Sequence, residues 1–226
     1  MEYAITCELV IEFDSEKFDS DTDFMKIGSG SLGGKARGLA FMASQIKRDP
    51  SLSKTFPGVD ISIPQTVVIA TDGFKLFVEE NNLSRLLESD PQLADSQVIE
   101  RFVAATFPDW LEKNLKHYLE NVRYPIAVRS SSLFEDAHYQ PFAGLYDTYM
   151  LPNSDPKLEK RLERLVLAIK LVYASTWFES PIALANMTRT TLAINELKKN
   201  NLPYIVCFTD PTAGGITASF AMLGDV

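Results

Sequence analysis

The sequence predicts a mixed α/β, or α+β, fold, and three observations carry this prediction. Short β-rich runs alternate with longer runs whose apolar residues recur at helical spacing. Hydrophobic residues make up 46% of the 226 residues and charged residues 23%, which are ordinary globular proportions. No internal repeat or low-complexity tract interrupts the pattern. A chain of this length can form one large domain or two small ones, with a sizeable core.

Each element follows from the local pattern of residues. β-rich runs predict strands over residues 4–13, 61–70, 126–128, 145–151 and 204–208. Helical spacing predicts a helix from about Lys35 and further helices over residues 74–80, 83–87, 96–106, 110–121, 157–177, 188–199 and 217–223. The run Thr71-Asp72-Gly73 is suited to capping the helix over 74–80. The strand over 126–128 is short and apolar, which predicts a buried strand.

Charge and composition exclude several classes of protein. The net charge of -8 disfavours nucleic acid and anionic membrane as partners. Two cysteines and two histidines, all without ligand spacing, predict neither a disulfide framework nor a metal site. The acidic N-terminus is unlike a signal peptide, and no apolar run approaches the ~20 residues of a membrane span. We therefore expect a reduced, soluble, cytoplasmic protein.

The glycine-rich segment GSGSLGGKARG, residues 28–38, is the first candidate binding segment. Glycines offer backbone N–H groups, the following helix contributes its positive end, and Lys35 lies at the junction, so a phosphate would suit this segment. The spacing does not match a P-loop, because Ala36 follows the lysine, and it is not a clean dinucleotide fingerprint. An ordinary glycine-bearing loop before a helix therefore remains the alternative.

The second candidate is the stretch YPIAVRSSSLFEDAHYQPFAGLYDT, residues 124–148. An arginine directly after a strand lies where ligands of α/β proteins gather, and its guanidinium is a planar fork for phosphate oxygens. Serines add hydroxyl and N–H groups, two acids are placed to orient the arginine, bind a ribose hydroxyl or lie near a metal, and a glycine allows a turn. A surface salt bridge with a serine-rich loop is the alternative. The candidate residues are Arg129, Ser130, Ser131, Glu135, Asp136 and Gly144.

Four segments together carry a resemblance to a known family: LGGKARGLAFM, PQTVVIATDGFKLFVEENNL, YPIAVRSSSLFEDAHYQPFAGLYDTYM and VYASTWFESP. In this order they resemble the N-terminal nucleotide-binding region of phosphoenolpyruvate synthase and pyruvate phosphate dikinase, over roughly residues 24–180. The resemblance implies a partial ATP-grasp fold and a first domain over residues 1–180.

The resemblance also implies ligands and roles. Lys35 and Arg129 would contact the phosphates of ATP, accompanied by Mg²⁺, and Ser130 and Ser131 would support the phosphate loop. Glu135 and Asp136 would lie close by, and the turn at Gly144 would close over the nucleotide.

Family members pass the phosphoryl group through a histidine domain to pyruvate on a barrel. These parts and the second ATP-grasp half have no counterpart in the 226 residues, so we expect nucleotide binding with little or no phosphoryl transfer unless other domains or an oligomer partner complete the enzyme. No residue is assigned as catalytic or as a metal ligand, and His138 is expected to be a loop residue rather than the phosphocarrier.

Residues 181–226 resemble a different family. The segment LPYIVCFTDPTAGGITASFAMLGD is similar to the β subunit of the bacterial acetyl-CoA carboxylase carboxyltransferase, which has a crotonase-type fold. In that family Gly214 and Gly215 would form an oxyanion turn for the enolate of an acyl-CoA thioester. In this chain a tight turn that packs a small-residue helix on a strand is favoured instead. We predict a second domain over residues 181–226, with a helix-strand-helix order.

The two resemblances predict a chimera of two fragments that meet near residue 180, or a misassembled gene. Three functions therefore stay open. The first is the ATP-binding part of a dikinase-like phosphotransferase, which we favour. The others are an acyl-CoA carboxyltransferase fragment and a folded module that binds neither ligand.

Overall fold

A computed structural model of the chain describes residues 11–13, 24–49, 51, 58–59, 61, 63–85, 93–131, 146–178 and 199. The chain divides into two compact units, Met1–Ser175 and Thr176–Val226. Of the second unit, residues 176–178 and 199 are described. The strand predicted over 204–208 and the helix predicted over 217–223 lie outside the described residues. All helices and strands given below belong to the first unit.

Three short parallel strands form the first sheet. They are β1 (Ile11–Glu12), β2 (Phe24–Ile27) and β3 (Thr66–Ile69), in the order β1-β2-β3. In the β2–β3 register Phe24 lies opposite Thr66 and Ile27 lies opposite Ile69. Helix α1 (Gly34–Arg48) connects β2 to β3 along the chain, as parallel neighbours require a crossover. The strand predicted over 61–70 is thus confirmed only in its second half.

Helix α1 packs on the parallel sheet through small residues. Ala36 and Ala40 are buried against Phe24 and Val68, and the partly buried Leu32 and Leu39 extend this cluster. Alanine brings the helix backbone close to the strands, which places the N-terminus of α1 near the carboxyl ends of β2 and β3.

The remaining helices form a second packed region around aromatic side chains. The helices are α2 (Thr71–Glu80), α3 (Asp95–Ala104), α4 (Asp109–Asn121) and α5 (Leu158–Ser175). Phe77 of α2 is fully buried and lies 5.8 Å from Phe102, 6.0 Å from Phe107 and 5.5 Å from Tyr173, measured between ring centroids. Helix α5 packs on both α3 and α4. The contacts between these tilted rings, together with the buried leucines of α4 and α5, hold the helices together.

The second sheet is a hairpin-like pair of antiparallel strands, β4 (Ile126–Arg129) and β5 (Thr148–Leu151). The prediction of a buried strand over 126–128 is wrong, because Ile126 and Val128 are half-buried while Ala127 and Arg129 are exposed. Helix α5 packs against this pair, and an antiparallel sheet needs only one covered face. The alternation therefore leaves Arg129 on the exposed side.

The start of α2 also differs from its prediction. Thr71, Asp72 and Gly73 belong to the helix itself. Ala70 is the N-cap residue, and its side chain makes no capping hydrogen bond. The side chains of Thr71 and Asp72 bind the glycine-rich segment instead, which is described below. The other described helices were predicted to within a few residues, and the mixed α+β class is confirmed. In the part of the chain that the structure describes, no helix has the length and apolar character needed to cross a bilayer.

Candidate nucleotide site

The candidate site lies where β2 and β3 end. Because the two strands are parallel neighbours, the segments that follow them leave the same edge of the sheet. The glycine loop (residues 28–33) follows β2, and Ala70 and Thr71 follow β3. The Ala70 N–H donates to the Ile27 carbonyl at 2.9 Å, which continues the ladder into this edge.

Asp72 holds the first half of the glycine loop. Its Oδ2 accepts hydrogen bonds from the Ser29 N–H at 2.7 Å and the Ser29 hydroxyl at 3.0 Å, and its Oδ1 accepts from the Gly73 N–H at 3.1 Å. The Gly30 N–H also donates to this carboxylate. Gly28 has φ of +99°, and a Cβ there would lie 2.5 Å from Oδ1 of Asp72. Only glycine allows both this backbone conformation and this close approach.

Thr71 holds the next residue of the loop. The Ser31 N–H donates to the Thr71 hydroxyl at 3.0 Å, and the Thr71 N–H donates to the Ser31 carbonyl at 3.1 Å. The N–H groups of Ser29, Gly30 and Ser31 are therefore bound to protein acceptors. The expectation that this part of the loop offers its N–H groups to a ligand is wrong, because Asp72 and Thr71 already accept from them.

The pKa of Asp72 reflects this arrangement. Burial raises the pKa of the carboxyl group, but the hydrogen bonds from Ser29, Gly30 and Gly73 favour the charged form and together hold the pKa below its ordinary value. Its position in the first turn of α2 also places the negative charge at the positive end of that helix. Asp72 thus supplies the negative charge to which N–H groups of the glycine loop donate.

Ser131 joins the other half of the glycine loop to the arginine segment. The Ser131 hydroxyl accepts a hydrogen bond from the Ala36 N–H, in the first turn of α1, at 2.9 Å. The N-cap residue of α1 is Gly33, which has no side chain to cap the helix. A Cβ on Gly33 would collide with the Ser131 carbonyl group. A serine 95 positions away in the sequence thus caps α1, and only glycine at position 33 lets the two segments approach this closely.

This hydrogen bond joins the two segments that carry the predicted basic residues Lys35 and Arg129. Lys35 precedes Ala36 as the second residue of α1 and is half-buried. Arg129, two residues before Ser131, is the last residue of β4 and is exposed. Ser130, which lies between Arg129 and Ser131 in the sequence, is half-buried. The other candidate residues lie outside the described part of the chain: Glu135, Asp136, Gly144, Gly214 and Gly215.

Thr71 and Asp72 are the residues of this site that the sequence interpretation missed. They were assigned to capping their own helix, which is the usual role of such residues before a helical run. The available signal was their position directly after a strand that lies parallel to the strand before the glycine loop. To recognise that signal one must know that β2 pairs with β3, and the local pattern of residues does not give this pairing.

An open groove lies along the same face of α2. Its volume is about 570 Å³, and it is lined by Thr71, Asp72, Phe74, Lys75, Val78, Glu79 and Ser84. Lys75 and Glu79 form an exposed ion pair at 3.7 Å across one turn. The groove has the size of a small-molecule site but no deep enclosure. Among the described residues, no three or more His, Cys, Asp and Glu side chains lie together as a metal site.

A family model described as "Pyruvate phosphate dikinase, AMP/ATP-binding domain" matches residues 29–193, which is more than half of the 226 residues. The chain belongs to this family. The match covers residues 29–33 of the glycine loop, helix α1, Asp72 and the β4 strand with Arg129. The dikinase resemblance in the sequence is thereby confirmed.

A second similarity is shorter and much denser. The chain is 83% identical over 48 residues to the acetyl-coenzyme A carboxylase carboxyl transferase subunit beta of Pelagibacter ubique (strain HTCC1062), covering 21% of the chain and 16% of the relative. The subunits of Caulobacter vibrioides (strain NA1000 / CB15N) and Phenylobacterium zucineum (strain HLK1) are 65% and 60% identical over 48 residues each. The chain spans 16% of the length of these relatives. The sequence thus joins a dikinase-family domain to a stretch similar to a carboxyltransferase. No solved structure matches the chain.

Proposed function

We propose that the dikinase-family part of this chain binds ATP where α1 begins and β4 ends, as the first half of an ATP-grasp site. Lys35 and Arg129 contact the phosphates, and Ser130 and Ser131 support the segment that carries Arg129. The observation that supports this proposal most directly is the hydrogen bond from the Ala36 N–H to the Ser131 hydroxyl. It fixes the start of the lysine helix to the end of the arginine strand.

The electrostatics of the region favour an anion locally. The first turn of α1 contains no acidic residue, and Lys35 and Arg37 lie within it or next to it. The positive end of the helix adds to this charge, against a net charge of -8 for the whole chain. Since Asp72 and Thr71 occupy the first N–H groups of the glycine loop, phosphate binding depends on side chains and on the start of α1. Glu135, Asp136 and Gly144 are proposed, by the resemblance alone, to complete this site.

The bound nucleotide would bring Mg²⁺, which needs few protein ligands when it is held by phosphates. The ion would neutralise charge on the β- and γ-phosphates. Lys35 and Arg129 would orient the phosphates from the protein side. We expect the residues described above to bind the nucleotide, and phosphoryl transfer to need the further parts that the family uses.

Isothermal titration with Mg-ATP tests the proposal. Lys35→Ala and Arg129→Ala should each weaken binding by roughly tenfold or more, since each removes a charge-assisted hydrogen bond. Lys47→Ala is the matched control at the opposite end of α1, and it should leave affinity unchanged. Lys75→Ala probes the groove along α2. If only Lys75→Ala weakened binding, the nucleotide would bind along α2 and the proposed site would be wrong.

Ser131→Ala separates positioning from contact. Loss of the cap on α1 should lower the free energy of unfolding by about 1 kcal/mol, as for other helix caps. Affinity for Mg-ATP should also fall, because the end of β4 is no longer fixed to α1. Ser154→Ala, an exposed serine before α5, is the control for both measurements. Unchanged affinity at the expected loss of stability would show that the α1–β4 contact serves folding only.

The second candidate function is acyl-CoA binding, favoured by the 83% identity to a carboxyltransferase subunit. It predicts that acetyl-CoA raises the melting temperature and that Gly214→Ala or Gly215→Ala removes this rise. A melt that neither acetyl-CoA nor Mg-ATP shifts would indicate a folded module that has kept neither site. The two ligands are therefore tested side by side on the same chain.

A further inference from the structure

Helix α5 is hydrogen-bonded to the residues on both sides of strand β5. After β5, the side chain of Asn153 accepts from Nη1 of Arg161 at 3.2 Å. Before β5, the Asp147 N–H donates to the Ser175 hydroxyl at 3.2 Å, and that hydroxyl donates to the Val172 carbonyl at 2.8 Å. Asn153, Arg161 and Ser175 are all buried. We call these two the Asn153 contact and the Ser175 contact.

The spacing of the two contacts is the same on the helix and on the strand. From Arg161 to Ser175 an α-helix rises by about 21 Å, at 1.5 Å per residue. From Asp147 to Asn153 an extended chain covers about 20 Å, at roughly 3.3 Å per residue. Because the two lengths agree, both contacts form together at one placement of β5 along α5. A shift of β5 by one residue would move it by about 3.3 Å and break the Ser175 contact.

The Asn153 contact also reaches β4. The Asn153 amide donates to the Val122 carbonyl at 3.0 Å and to the Tyr124 carbonyl at 3.1 Å, in the segment that enters β4. Nη1 of Arg161 donates to the same Val122 carbonyl at 3.0 Å. The start of β4 and the end of β5 are therefore joined to each other and to α5.

Arg129 lies at the opposite end of this sheet, beside the Ser175 contact. In the register of the pair, Arg129 lies opposite Thr148, which directly follows Asp147. A slip of one residue between the strands would turn the side chain of Arg129 to the other face, against which α5 packs. The placement of β5 on α5 therefore decides where the guanidinium of Arg129 lies.

We propose that α5 is the positioning element of the nucleotide site. Ser175 and Asn153 set the register of β4 and β5, and that register places Arg129 for the phosphates. The inference rests on the proposed function and adds two positioning residues to it, both of which act through Arg129 rather than by touching the nucleotide. The contact of Ser131 with α1 fixes the segment after β4, whereas the contacts with α5 fix the strands themselves.

Isothermal titration with Mg-ATP, at a temperature well below every melt, tests the proposal. Ser175→Ala removes the acceptor of the Asp147 N–H and should weaken binding by roughly threefold or more. Val98→Ala, which removes buried packing on α3, is the matched control. It should lower the melting temperature and leave the affinity unchanged. Equal weakening by both variants would mean that affinity follows stability alone, which would overturn the proposal.

A double-mutant cycle with Arg129→Ala shows whether Ser175 acts through the arginine. Ser175→Ala should weaken binding much less in the Arg129→Ala background than in the unmodified chain. An equal loss in both backgrounds would contradict the positioning of Arg129. A loss with Arg129→Ala but none with Ser175→Ala would overturn this inference alone. An unmodified chain that does not bind Mg-ATP would overturn the proposed function and this inference with it.

Asn153→Gly covers the case in which Ser175→Ala does not fold. Asn153 has φ of +54°, which glycine accepts without strain, so the variant loses the hydrogen bonds of the side chain and little else. It should weaken Mg-ATP binding in the same way and with the same dependence on Arg129. Affinity equal to that of the unmodified chain would overturn the proposal.

Discussion

Asp72 and Arg161 are two charged side chains of the first unit, one half-buried and the other buried, and their hydrogen bonding differs. Asp72 accepts hydrogen bonds from Ser29, Gly30 and Gly73, so its carboxylate is surrounded by donors. Arg161 uses one nitrogen for three neutral acceptors and leaves two others without a partner among the described residues. A charged group such as the Asp72 carboxylate, whose oxygens accept several hydrogen bonds, stabilises the segments that donate to it. A buried charge that is only partly satisfied among the described residues costs stability instead.

This difference in hydrogen bonding arises from the backbone groups that each charged side chain contacts. Asp72 meets the N–H groups of a glycine loop, which can bend all its donors towards one carboxylate. Arg161 meets the last carbonyls of α4, which an ending helix leaves without partners. Two other helix ends in the first unit are also closed by distant side chains. Ser131 caps the start of α1, and Lys170 donates to the carbonyls of Val103 and Ala105 at 3.0 and 2.6 Å, at the end of α3.

Asn153→Ala should have the largest effect on the arginine side of this comparison. Asn153 is buried, donates to the carbonyls of Val122 and Tyr124 at 3.0 and 3.1 Å, and accepts from Arg161. Its φ of +54° also suits asparagine far better than alanine. We expect a loss of about 3 kcal/mol in the free energy of unfolding, measured by urea denaturation.

Asn153→Gly separates the two causes. Glycine accepts the positive φ without strain, so the glycine variant should be more stable than the alanine variant while both lack the hydrogen bonds. Equal stability of the two variants would mean that backbone strain contributes nothing at this position. A loss below about 1 kcal/mol in both would mean that Arg161 and α4 do not depend on Asn153.

Asp72→Ala should have the next largest effect. It leaves the N–H groups of Ser29 and Gly30 without their acceptor and should cost about 2 kcal/mol in the free energy of unfolding. Asp109→Ala is the control, because Asp109 also lies in the first turn of a helix, α4, and is exposed. It should cost well under 1 kcal/mol, the value of a favourable charge at a helix start. Similar losses in both variants would mean that Asp72 acts only on the dipole of α2.

The sequence predicted most of the helices and the order of the binding segments, because apolar spacing and glycine content are local signals. It also predicted that a helix begins at about Lys35 and that Arg129 directly follows a strand, and the structure makes Arg129 the last residue of that strand. It missed the role of Asp72, and it wrongly predicted a buried β4. Both depend on contacts between segments distant in sequence. Asp72 reaches the glycine loop because β2 and β3 are parallel neighbours, and β4 is half exposed because α5 packs against its antiparallel pair with β5 and covers one face.

The long-range caps were beyond local prediction for the same reason. Ser131 lies 95 positions from Ala36, and Arg161 lies 42 positions from Leu119. Serine at the end of a strand and arginine on an otherwise amphipathic helix are common residues with many ordinary roles. Their capping roles follow from the packing of α1 against the end of β4 and of α5 against α4.

The pH dependence of Asp72 gives the smallest predicted effect and the sharpest test of its charge. Its pKa is lower in the folded state than in the unfolded state, where it is about 3.9. The stability that the charge contributes is therefore fully present above the unfolded pKa and is lost as the pH falls through the folded pKa. Asp72→Asn keeps the shape of the side chain but has no carboxylate to titrate.

The difference in unfolding free energy between the unmodified chain and Asp72→Asn should thus shrink as the pH is lowered from about 6 towards 3, measured by urea denaturation at each pH. If the Asp72→Asn difference stayed constant with pH, the carboxylate would hold the glycine loop by its shape and hydrogen bonds rather than by its charge. Asp72 would then differ from Arg161 in geometry and not in how its charge is satisfied.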